Sequence, residues 1–64
     1  MSTTTLNRAE LHKTFTTMER HGGGFVAQLA QAWYVADPMN KDRIERTFTD
    51  LLAKYGPNSR FYNQ

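Results

Sequence analysis

His12 and His21, with the carboxylates of Glu10, Glu19 and Asp37, are among the side chains of this chain whose types could move a proton or hold a metal. Hydrolysis by such groups needs a nucleophile, a base and an orienting residue held in a cleft. His12 and Glu19 lie seven residues apart, nearly on one face of a helix, but the sequence contains no cysteine and so no thiol nucleophile. The histidines are nine residues apart and the carboxylates are scattered, which is no recognised metal-ligand spacing. The expectation is therefore no catalytic residue, no cofactor and no metal, with His12 a solvent-facing helix residue and His21 at a helix end, where it complements the dipole. Gly22-Gly23-Gly24 could aim backbone amides at a phosphate. No strand pattern precedes the run and no lysine follows it as in a phosphate-binding loop, so it reads as punctuation.

Cations and aromatic rings offer a second kind of chemistry. Arg8, Arg20, Lys41, Arg43 and Arg60 are the residues a nucleic-acid partner would engage, and Arg60-Phe61-Tyr62 places a cation beside two stackable rings. Asp42 and Asp50 stand four residues before Arg46 and Lys54, where they pair along a helix, and Glu45 adds a third acid. Eight Lys and Arg against six Asp and Glu leave a net charge of +2. A surface that tracks phosphates needs several unpaired bases, so a nucleic-acid regulator is the alternative reading.

The scaffold that must hold these residues is small. Sixty-four residues allow one domain, residues 1–64, near the lower limit for a chain that folds unaided. With no disulfide to help, packing against a second copy or another protein is the common remaining route to stability. Leu, Ile, Val and Phe number only 12, yet the low net charge argues against disorder. No apolar run approaches a membrane span, and Met1 to Thr5 lacks the features of a signal peptide; a cytoplasmic protein is expected, with no membrane partner.

Hydrophobic periodicity divides the chain into three helices, at about 8–20, 25–36 and 40–55, in a compact all-α domain. Asn7 and Glu10 match a capping box, with Leu6 and Leu11 as its hydrophobic staple. Leu11, Phe15 and Met18 make a narrow stripe, and Thr14, Thr16 and Thr17 weaken the helix. The glycine run ends it through a left-handed cap. In the second segment Phe25, Leu29, Ala32 and Ala36 line one side and Val26, Ala30, Trp33 and Tyr34 the next, which predicts a middle helix buried against two neighbours. Asp37-Pro38 breaks the pattern, and either Asp37 or Asn40 caps the third helix. Ile44, Phe48, Leu51, Leu52 and Tyr55 form its stripe, and Gly56-Pro57 stops it. Residues 1–6 and 58–64 are expected to be flexible or partly docked ends.

From His21 to Tyr62 the chain resembles small accessory proteins of tailed bacteriophages and prophages. Gly22-Gly23-Gly24-Phe25-Val26, Leu29-Ala30 with Ala32-Trp33, Ala36-Asp37-Pro38 with Asn40, Arg43-Ile44-Glu45, and Phe48 with Leu52 through Tyr55 carry the resemblance. It implies a viral protein of the host bacterial cytoplasm and transfers no catalytic residue. The expected function is accordingly non-enzymatic protein contact, as a homo-oligomer or as a binder or inhibitor of a host or viral protein. Trp33, Tyr34, Val35, Phe61 and Tyr62 are the candidate interface anchors.

Overall fold

The fold grows from local hydrogen bonds. In a computed structural model, which describes residues 6–62, Asn7 and Glu10 close both arms of the capping box: the Glu10 amide donates to Asn7 Oδ1 at 2.8 Å and the Asn7 amide to Glu10 Oε1 at 3.0 Å. Helix α1 (Arg8–His21) starts there and carries Arg20 and His21 in its last turn. Its threonines turn inward without leaving polar atoms bare. The Thr14 hydroxyl donates to the Glu10 carbonyl at 2.7 Å and that of Thr17 to the Lys13 carbonyl at 2.8 Å, so both side chains lie buried among the apolar residues.

Helix α2 (Gly24–Val35) follows a turn in which the Gly22 amide bonds the Met18 carbonyl. No glycine among the described residues has a positive φ, which corrects the expected left-handed caps at Gly22–Gly24 and Gly56. Close approach explains Gly22 instead: a Cβ there would meet Val26 Cγ1 and come within 2.6 Å of the Met18 carbonyl oxygen.

Two helices occupy the region read as one, so the described residues hold four helices rather than three. Asp37 caps α3 (Pro38–Thr47), accepting from the Asn40 amide at 2.8 Å with Pro38 in the first turn, which moves the start ahead of residue 40. At Phe48 the backbone leaves helical angles, with φ −111° and ψ 44°, and α4 (Thr49–Tyr55) begins. Neither glycine nor proline causes this break. Thr47 and Thr49 flank Phe48 with weak helix formers, and the Phe48 ring packs against Phe25 with centroids 6.0 Å apart.

The break decides the packing. α1 lies against α2 and α4, while α3 touches α2 and α4. The expected packing of the first and third helices on the second holds for α1 and α3, whereas α4 packs on α1 instead of α2, so that α1 supplies more of the buried residues than any other helix. Leu11, Phe15 and Met18 of α1 meet Ala30 and Trp33 of α2 and Leu52 and Tyr55 of α4. Phe15 and Trp33 stack with ring centroids 4.2 Å apart and planes 5° from parallel. The total accessible surface, 4259 Å², agrees with the roughly 4,200 Å² of a folded monomer of 7.4 kDa.

After α4, residues 56–62 turn back on the bundle through a bond from the Ser59 amide to the Gly56 carbonyl. Phe61 lies beside Tyr55 and His21, with centroids 5.5 and 5.4 Å away. At the other end Leu6 packs on the core. What was expected of residues 1–5 and 63–64 lies outside the described residues.

Candidate contact surfaces

The side chains singled out for proton chemistry are not brought together. Glu10 and Asp37 are engaged as helix caps. Glu19 accepts from Gln31 Nε2 at 3.3 Å, while the His12 ring lies against Trp33 and Tyr34, with centroids 6.4 and 5.6 Å away. No group of three or more His, Asp or Glu among the described residues could hold a metal ion.

Trp33 sits at the meeting point of the interior. Its indole Nε1 donates to Glu45 at 2.9 Å, its face stacks on Phe15, and the Lys41 ammonium stands 4.6 Å from the ring centroid. Glu45 is only 4% exposed. By its letter it belongs with the charges of the third helix, whereas α3 turns it inward one residue beyond Ile44, where the indole N–H meets it. A buried indole needs an acceptor, and that requirement is the one signal in the sequence that points toward a polar residue near Trp33.

Of the five candidate interface residues, Trp33 is core, 3% exposed, and so turns its ring away from any partner. Tyr34 is half-buried and shares a 2.8 Å hydrogen bond with the Thr16 hydroxyl. Phe61 and Tyr62 are half-buried in the returning tail, Tyr62 beneath the Lys13 ammonium at 4.5 Å. Val35 alone stands out, at 86% exposed. Two residues that the periodicity did not single out as anchors join it: Phe25 at 65% and Met39 at 74%.

These outer residues belong to one feature. Phe25, Gln28, Ala32 and Val35 recur at spacings of three, four and three, and all four are exposed, which makes a stripe along the outer side of α2. Met39 follows at the start of α3. Helix α2 has twelve residues and not one is charged. The expected burial of α2 on two sides is met in part: Ala30 and Trp33 are inside with Val26 and Tyr34 packed against them, while on the other side Leu29 and Ala36 are half-buried and Phe25 and Ala32 exposed.

The cations named for nucleic acid are dispersed. Arg8 and Arg20 stand at opposite ends of α1, about 18 Å apart along its axis. Both are exposed, as is Arg43 on α3, and Arg60 lies over Phe61 in the tail, 5.5 Å from its centroid. Lys41 is half-buried over Trp33. Arg46 pairs with Asp42 at 2.9 Å, as its spacing predicts, while Lys54 stands over the Tyr55 ring at 5.7 Å.

No helix among the described residues is long and apolar enough to cross a membrane. Comparison with protein-family models, with curated proteins and with solved structures found no match.

Proposed function

We propose that this chain works by protein contact rather than by chemistry, and that the outer stripe of α2, with Met39 at the start of α3, is the surface that makes the contact. One observation carries the reading: a helix of twelve uncharged residues keeps Phe25 and Val35 largely in water, and Met39, four residues beyond Val35, is exposed as well. Apolar surface gains roughly 25 cal/mol per Å² when it leaves water, and apolar patches of this kind mark interaction sites. The chemistry of the partner follows from that of the stripe. It is an apolar, uncharged helical surface, because a charge set against Phe25, Ala32 or Val35 would lose its hydration without gaining a counter-ion. The biological setting of the proposal, a small phage protein in a bacterial cytoplasm, rests on the resemblance of residues 21–62 alone.

Two chromatographic measurements test the reading against a nucleic-acid role. The purified chain should be retained on a phenyl-substituted matrix, lose that retention in the Val35→Glu/Met39→Glu variant, and pass through immobilised single- and double-stranded DNA at low salt. Retention on DNA that falls steeply between two salt concentrations, with a phenyl-matrix behaviour indifferent to the two substitutions, would replace it with the alternative regulator.

A further inference from the structure

We infer that the outer stripe of α2 is the seam of a two-fold dimer, in which α2 of one chain lies antiparallel against α2 of a second copy. The inference rests on the contact reading above and names its partner.

Three properties of α2 select its own copy. The first is charge. A two-fold contact sets a surface against itself, so a charge on it meets a like charge nearby. Helix α2 carries none, and Gln28, the polar residue of the stripe, has an amide that both donates and accepts and so can bond across the axis.

The second is volume. An antiparallel pairing about a two-fold axis at the level of residue 30 sets Phe25 opposite Val35 of the second copy, and Gln28 opposite Ala32 of the second copy. Each match places a larger side chain against a smaller one, and each occurs twice. The spacing of three, four and three is also that of a coiled-coil seam, which keeps all four residues on the contact line. A parallel pairing would set Phe25 against Phe25 and Ala32 against Ala32, crowding one end and leaving a gap near the other.

The third is the helix dipole. Helix α2 has no acidic residue in its first turn, no basic residue in its last, and an N-cap, Gly23, that makes no side-chain hydrogen bond. Helix α1, by contrast, has Glu10 at its start and Arg20 and His21 at its end. The two ends of α2 therefore lack the local charges that usually offset a helix dipole. An antiparallel copy brings the positive end of one helix beside the negative end of the other, and offsets both.

The absence of cysteine makes the test direct. Gln28→Cys and Ala32→Cys chains are prepared separately, mixed and oxidised with glutathione disulfide, which caps one cysteine for attack by the other with glutathione as the leaving thiol, and Ala53→Cys, exposed on α4, serves as the control. The antiparallel seam predicts a mixed disulfide between the Gln28→Cys and Ala32→Cys chains that forms about tenfold faster than any disulfide of the control, because the attacking thiolate is held beside its target. Sedimentation of the unmodified chain should rise from 7.4 kDa toward twice that mass with concentration, and Val35→Glu should stay at 7.4 kDa while melting, when dilute, at the wild-type temperature. Preferential Ala32→Cys homodisulfides would overturn the antiparallel register. A wild-type mass of 7.4 kDa at every concentration, in a chain still held by the phenyl matrix through Val35 and Met39, would overturn the second copy as occupant and leave a foreign apolar helix in its place. Loss of phenyl-matrix dependence as well would bring down the contact reading itself.

Discussion

The indole N–H of Trp33 donates across 2.9 Å to the carboxylate of Glu45, and both residues are buried. This bond ties α2 to α3, as does the Lys41 ammonium over the same ring, across the short Ala36-Asp37 turn. It also makes the single tryptophan a reporter of the whole core, since the opposite neighbour of the ring is Phe15 of α1.

Trp33→Ala removes the stacking partner of Phe15 and the donor to Glu45 together. The loss should be about 3 to 5 kcal/mol, a large share of the stability of so small a domain. Far-UV circular dichroism should show a chain without a cooperative thermal transition; a variant that melts sharply at the wild-type temperature would remove Trp33 from the core.

Trp33→Phe separates the two roles. It keeps an aromatic ring against Phe15 but removes one hydrogen bond, the N–H that Glu45 accepts, a loss of about 0.5 to 1.5 kcal/mol. Urea unfolding should place it between the wild type and Trp33→Ala.

Gly22 and Gly24 should respond to alanine with opposite signs. At Gly22 the added methyl meets Val26 and the Met18 carbonyl, so Gly22→Ala should destabilise by about 1 to 3 kcal/mol. At Gly24, in the first turn of α2, nothing lies within 4 Å, and Gly24→Ala should stabilise by about 0.5 to 1 kcal/mol through its better helix propensity. Thermal melts of the two variants, compared side by side, check both signs.

Asn7→Ala and Asp37→Ala each remove the side chain that accepts from the third amide of a helix. Each should lower stability by about 1 kcal/mol. Asn7→Asp should largely restore the first, because the carboxylate caps as well and favours the positive end of the dipole; hydrogen exchange of the Glu10 amide is the local readout.

Helix ends were the most legible part of this chain. Asn7 with Glu10 acts through atoms three residues apart, and its geometry matches the pattern read from the letters; of the two caps the letters allow for the third helix, Asp37 is the one that forms, accepting from the Asn40 amide. The break at Phe48 had no such mark. Ile44, Phe48, Leu51, Leu52 and Tyr55 continue a helical period straight through it, and at the break the Phe48 ring lies against Phe25, twenty-three residues earlier. The threonines of α1 misled in the same way. Their low helix propensity is real, but bonds from the hydroxyls of Thr14 and Thr17 to carbonyls one turn back let this helix, not the more apolar α2, lie at the centre.

Glu45 and Val35 mark the division most clearly. By itself the sequence determined that the chain would be helical, where most helices begin and stop, and that residues 25–36 carry more apolar side chain than one neighbour covers, because caps, prolines and periodicity act within a few residues. Tertiary structure alone decided that a carboxylate would go inside and a valine outside. Which side of a helix is covered depends on the elements that reach it: among the described residues α1 meets Trp33 through Phe15 and α3 through Glu45, the Phe48 ring reaches Phe25, and Val35 is left 86% exposed.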